Sequence, residues 1–186
     1  MNEVVQNILN RRSVRVYSGE QIKPEDMELI LKSGLYAPSA CNTQPWHFTV
    51  VSNKDIIDEL SSETKKELLN CENEYFKEFA NNEKYNVFYN APAIIIVSGE
   101  VNSMVPETDC AAATENMILA AESLNIGSCW IGLLAFLFKG EKSQEYLDKL
   151  KIPQGYMPYY ALTLGYKKYP NPKPQQRREN TVNFIE

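Results

Sequence analysis

Residues 91–97 read A-P-A-I-I-I-V. The run contains no polar residue, so it lacks the alternation of a strand with one wet face. It predicts a short strand covered on both sides. A sheet with helices packed over it is the architecture that gives a strand this environment.

The flanking sequence supplies such helices. Val4, Val5, Ile8 and Leu9 recur at helical spacing and predict an amphipathic helix over 2–11. Pro24, followed by Glu25 and Asp26, opens a second helix with Met27, Ile30, Leu31 and Leu35 as its apolar stripe. H-F-T-V-V, ending near Ser52, reads as a strand, and residues 54–84 read as a charged helical region with a broken apolar face. Asp109 is placed to cap a long helix reaching about Asn125, with Gly127 as its stop. S-C-W-I-G-L-L predicts a strand running into a loop, 141–150 a short helix, and Y-Y-A-L-T-L-G-Y a last strand. The proline-rich end predicts an arm, not regular helix. No repeat, flexible linker or domain boundary interrupts the 186 residues, which read as a single domain, 1–186.

The charge balance, 19 basic against 24 acidic residues, gives −5 and argues against whole-surface attraction to nucleic acid or anionic lipid. No apolar run approaches a membrane span, and the N-terminus lacks the apolar block of a secretory signal. A cytoplasmic protein with no membrane and no nucleic-acid partner is the expectation. Cys41, Cys71, Cys110 and Cys129 show no C-x-x-C spacing, so they read as free thiols. His47 is the only histidine, which leaves no histidine-rich metal site within one chain.

Two stretches carry candidate chemistry. In A-P-S-A-C-N-T-Q-P-W, residues 37–46, the prolines disfavour helix at Ala37 and Gln44. In an extended chain Asn42 and Gln44 would face one target, either a flat ligand with mixed donors and acceptors or the chain's own backbone. Near the N-terminus, an extended chain after the first helix would project Arg11, Ser13 and Arg15 to one side, with Arg12 beside them. Guanidinium groups and a hydroxyl suit a phosphate. Taken alone, R-R-S-x-R is more simply a basic surface turn. A second basic cluster, Lys167, Lys168, Lys173, Arg177 and Arg178, lies at the far end. Glycine-loop phosphate motifs, H-E-x-x-H and G-x-S-x-G are all absent.

In this order, R-R-S-V-R, A-P-S-A-C-N-T-Q-P-W-H-F, A-P-A-I-I-I-V, N-I-G-S-C-W-I-G-L and L-G-Y followed by P-x-x-x-R-R resemble the FMN-dependent nitroreductase family across nearly the whole chain. The resemblance implies an α+β, three-layer α/β/α fold: a mixed central sheet flanked by helices, and a C-terminal arm exchanged in a homodimer with FMN at the interface. It implies that Arg11, Arg12, Ser13 and Arg15 hold the FMN phosphate and ribityl chain, and that Arg177 or Arg178 completes the phosphate site. Pro38, Ser39, Ala40 and Asn42 would come from the partner protomer against the ring, with Gln44 bracing the loop. Backbone groups around Gly132, Leu133 and Leu134 would lie near flavin N5.

The implied reaction is ping-pong transfer from NADH or NADPH, through flavin N5, to a nitroaromatic, quinone or related small acceptor, with no catalytic nucleophile or metal. Residues 54–84 are the only candidates to roof the pocket. One alternative is a non-enzymatic flavoprotein, a redox sensor or flavin carrier on the same fold. A nucleic-acid binder using Tyr166, Tyr169 and the basic tail, and a thiol hydrolase pairing Cys41 with His47, are weaker alternatives.

Overall fold

The computed structural model describes residues Met1–Glu186. Four strands, β1 (Trp46–Val51), β2 (Ala93–Glu100), β3 (Ile126–Ile131) and β4 (Tyr156–Tyr166), lie in the order β1-β2-β4-β3. All three pairings between them are antiparallel. The expected mixed character is confined to one parallel bridge, Ser13 with Ser128, on the outer side of β3.

β2 is covered on both faces, as its composition requires: Ala93 through Gly99 are all buried. Alternate residues feed separate cores. Ile94 and Ile96 meet Ile57, Leu60, Leu134 and Phe138 on one face. Ile95 and Val97 meet Ile30, Met117, Leu162 and Leu164 on the other. Two helical layers supply these contacts. α2 (Pro24–Leu35) and α5 (Pro106–Ser123) cover the second face. α3 (Lys54–Leu69), a 3-10 helix over Leu133–Lys139 and α6 (Ser143–Lys149) cover the first. Two further helices lie outside these layers, α1 (Glu3–Asn10) and α4 (Glu74–Asn81). No helix is long and apolar enough to cross a membrane. All four cysteines are free, with Cys110 and Cys129 buried and Cys41 exposed.

Two local expectations are corrected and a third is refined. α5 starts at Pro106 with Val105 as N-cap, so Asp109 lies inside the first turns. Proline needs no partner for a missing N–H at a helix start, which frees the Asp109 side chain to accept from Ala40 N at 3.0 Å instead. The turn after α5 is made by Asn125 at φ +57, so Gly127 does not stop the helix; it sits within β3. The 54–84 region is two helices, because Asn73 breaks the run and caps α4 by accepting from Tyr75 N at 3.0 Å.

Gly127 is small for a packing reason. A Cβ there would lie 2.8 Å from Val14 Cγ1. That close approach lets the chain after α1 lie along β3, where Val14 N donates to Ser128 O at 2.8 Å. The Tyr17 hydroxyl then reaches Val14 O at 2.6 Å and Thr163 Oγ1 at 2.7 Å. Beyond Tyr166 the chain forms one bridge, Lys167 with Tyr17, and otherwise no helix or strand.

Gly127→Ala is expected to lower unfolding free energy by about 1–3 kcal/mol, the usual cost of overpacking. Denaturant unfolding measures it, and an unchanged midpoint would contradict the tight seat of Val14.

Candidate functional site

α1 ends at Asn10, and Arg11 leaves it with an extended ψ of 135°. The chain then runs outward along β3 and delivers Arg11, Arg12, Ser13 and Arg15 to one cavity of about 330 Å³. Pro172, Lys173, Gln175 and Arg177 close its other side. Its walls thus carry five cationic side chains and no acidic one. In a chain of net charge −5, that is a strong local concentration of positive charge. It suits a phosphate, whose oxygens match guanidinium forks. A neighbouring hollow of about 630 Å³ shares Arg12, Pro172 and Lys173 but has Glu122 in its wall, so an anion is favoured in the smaller cavity.

The two chain ends are fastened together by side chains of low exposure. Lys167 Nζ pairs with Glu122 Oε2 at 2.9 Å, each side chain only 10% exposed. Asn171 Nδ2 donates to Glu122 Oε1 at 2.8 Å and to Asn10 O at 3.0 Å. Arg12 gives Nη1 to Leu9 O (2.8 Å) and Arg11 O (2.6 Å), and Nε to Pro172 O (3.2 Å). Arg12 is therefore a staple between the end of α1 and the arm. Arg11 leans on Glu115 at 4.0 Å. Of the two C-terminal arginines, Arg177 lines the cavity and Arg178 does not.

Arg15 also donates through Nε to Tyr89 OH at 3.3 Å, although Tyr89 is not among the residues lining the cavity. Cys129 lies close to Arg15. Burial pushes its thiol up, although Arg15, Ser13 and Arg11 pull it down. It is a packing residue, poorly suited to nucleophilic chemistry.

The loop 38–45 lies apart, and none of Pro38, Ser39, Ala40 or Asn42 lines the cationic cavity. It is not extended. Cys41, Asn42 and Gln44 stand at φ +50, +55 and +50. Asn42 and Gln44 do not share an outside target: Gln44 Nε2 donates to Asn42 Oδ1 at 3.1 Å. Ser39 Oγ accepts from Gln44 N at 2.9 Å, and Thr43 Oγ1 donates to Ala40 O at 3.0 Å. These bonds satisfy the turn locally, which is how the chain tolerates three left-handed residues. Asp109, 4% exposed, anchors the loop through Ala40 N and leaves Oδ2 without a partner in the chain.

Gly132 follows β3 with ordinary angles, φ −86 and ψ −19. A Cβ at this position would meet nothing within 4 Å. Folding gives no reason for glycine here, whereas close approach of a ligand or partner does. Leu133 is half-buried and Leu134 fully buried in the core. The same 3-10 helix carries Phe136, which meets Phe76 of α4 edge-on at 5.4 Å, and Tyr75 and Phe79 pack beside it at 4.8 Å from each other. Residues 54–84 therefore bring an aromatic group next to the segment after Gly132.

Elsewhere, burial pushes Cys110 up to about 12. His47 packs edge-on against Tyr156 at 5.8 Å, and burial lowers its pKa.

The Nitroreductase family model matches residues 8–166. The crystal structure of a nitroreductase with bound FMN from Bacteroides fragilis is 37% identical, covers 100% of both chains and superposes with a TM-score of 0.92. That of a nitroreductase with bound FMN from Desulfitobacterium hafniense is 28% identical over 100% of both chains, with a TM-score of 0.90. The Bacillus subtilis FMN reductase (NADPH) is 27% identical over 98% of this chain and 76% of its own.

The clasp at the root of the arm should matter to the cationic cavity. Asn171→Ala is expected to weaken binding of inorganic phosphate about 3- to 10-fold, the scale of one or two lost hydrogen bonds. Titration followed by the arginine Nε–H signals in NMR reads this, with hydrogen exchange in β2 and β4 unchanged.

Proposed function

The chain belongs to the nitroreductase family, and we propose that it is an FMN-dependent NAD(P)H oxidoreductase acting on small flat acceptors such as nitroaromatics or quinones. The observation that carries this reading is the cavity where Arg11, Arg15, Lys173 and Arg177 converge with no acidic side chain in its wall. A phosphate monoester fits that donor set, and the open side of Gly132 leaves room for a flat ring to approach the backbone. FMN held there by Arg11, Ser13, Arg15 and Arg177 would supply the hydride and electron transfer between NADH or NADPH and the acceptor, with the two exchanging in ping-pong order.

Each part of the chain has a role in this reading. Arg11, Ser13, Arg15 and Arg177 hold the phosphate end, with Arg12 securing the arm that delivers Arg177. Arg15, nearest the ring side, also favours negative charge that develops on the pyrimidine end. The backbone at Gly132 and Leu133 flanks the reactive edge, Leu134 anchors that backbone in the core, and the aromatic groups of α4 and Phe136 keep water from the acceptor. Residues 1–186 act as one cofactor-binding domain.

The reading includes a homodimer. α1 is eight residues long and buries none of them. Helices shorter than about 12–15 residues are marginal in water on their own. Val4 and Leu9 are 67% and 53% exposed, and Leu29, Leu35 and Tyr36 lie exposed on α2 and just after it. Phe184 and Ile185 extend the apolar surface along the arm. A second copy is the partner that covers such a face, receives the arm and brings Pro38, Ser39, Ala40 and Asn42 to its neighbour's flavin. Four free thiols support a reducing, cytoplasmic setting.

Purified protein should be yellow and should bleach with NADH or NADPH in the absence of oxygen. A bound flavin that neither nicotinamide reduces would instead indicate a non-enzymatic carrier or sensor. Arg15→Ala should weaken FMN binding at least about 10-fold, the loss of one charge-assisted contact. Its apo-protein unfolding free energy should stay within about 0.5 kcal/mol of wild type. Ile8→Asp should yield a monomer on size-exclusion chromatography and shed FMN with it.

A further inference from the structure

Tyr89 and Asn90 stand at φ +54 and +53. Asparagine tolerates the left-handed region, but a bulky aromatic there is uncommon and strained. Such a conformation persists where the surroundings over-determine it, and here they do. Val87 and Phe88 are fully buried just before it. Val87 N donates to Ser61 Oγ at 2.9 Å, Phe88 N to Asn86 Oδ1 at 2.9 Å, and Tyr89 N to Asn86 O at 2.9 Å. Ala91 N closes the turn on Phe88 O at 3.0 Å, one residue before Pro92 leads into β2.

The strained turn places the Tyr89 ring against Arg15, one of the residues lining the cationic cavity. The Arg15 guanidinium carbon lies 5.6 Å from the ring centroid, and its Nε donates to the phenolic oxygen. Tyr85 braces the ring edge-on at 5.9 Å. Arg15 itself is exposed. A long exposed side chain samples many rotamers, and fixing it on binding costs affinity unless it is fixed beforehand. The bond through Nε and the ring lying under the guanidinium remove much of that freedom before a ligand arrives. Packing alone would not require the hydroxyl, since the ring is only half-buried against its neighbours.

We propose that Tyr89 is the positioning residue for Arg15: its strained backbone and its hydroxyl hold the guanidinium ready at the cofactor site, and thereby set both FMN affinity and the ease of flavin reduction. The proposal rests on the reading that Arg15 serves FMN.

The test compares wild type, Tyr89→Phe, Arg15→Ala and the double variant. FMN affinity is read by quenching of flavin fluorescence, the midpoint potential of the bound flavin by equilibration with redox dyes, and apo stability by thermal melting. Tyr89→Phe keeps the ring and should leave melting unchanged. It should weaken FMN binding about 3- to 10-fold and shift the midpoint to a more negative value. The double variant should lose little beyond Arg15→Ala, because the two residues act as one unit. If Tyr89→Phe matches wild type in both affinity and potential while Arg15→Ala does not, Tyr89 only fills space and the inference falls alone. If Arg15→Ala also binds FMN normally, the inference falls together with the assignment of Arg15.

Discussion

Five like charges around a cavity of about 330 Å³ repel one another, and the fold must hold them there before any ligand neutralises them. The surrounding structure bears on that constraint. Gly127 lets Val14 lie close against β3, which fixes where Ser13 and Arg15 emerge. The Glu122–Lys167–Asn171 clasp fixes where the arm departs, and Arg12 ties it to α1 across 160 residues of sequence. Backbone carbonyls, the Tyr89 hydroxyl and one partly neutralising carboxylate, Glu115, offset the arginines from within. Bringing like charges together in the absence of a counter-charge is unfavourable, so a bound phosphate would relieve repulsion as well as make hydrogen bonds.

The sheet supplies the rigid reference for this arrangement. β2 and the Ala161–Gly165 part of β4 are buried on both faces, and each face has its own core. Elements that hang from this frame are the ones the proposed function uses: α1, the arm, the loop 38–45 and α4. They bury little within one chain, and α1 buries nothing. A stable centre with under-packed margins suits the proposed function, in which a ligand and a second subunit would complete the site.

Much of the frame was legible in the sequence. The unbroken A-P-A-I-I-I-V run required cover on both sides, and the structure has it. The spacing of R-R-S-V-R allowed Arg11, Ser13 and Arg15 to face one side, as they do at the cavity, although taken alone it read as a basic surface turn; a far-end arginine at the same site was implied only by the family resemblance. What failed was local. Asp109 has the chemistry of a cap, but Pro106 three residues earlier is an equally good start, and the aspartate is used across the fold on Ala40. Asn42 and Gln44 have the spacing of an extended pair, yet left-handed backbone at both turns them onto each other. Tyr89 could not have been found: F-Y-N-A-P signals a turn, but nothing in it announces a contact 74 residues away with Arg15.

The loop 38–45 has a consequence for selectivity. It spends the Ser39 hydroxyl, the Asn42 carbonyl and the Gln44 amide on its own closure. Asn42 Nδ2 makes no bond within the chain, so contour and this amide are what the loop can offer a neighbour. If the loop lines the acceptor site as proposed, it would discriminate chiefly by thickness and outline and would tolerate chemically diverse flat molecules.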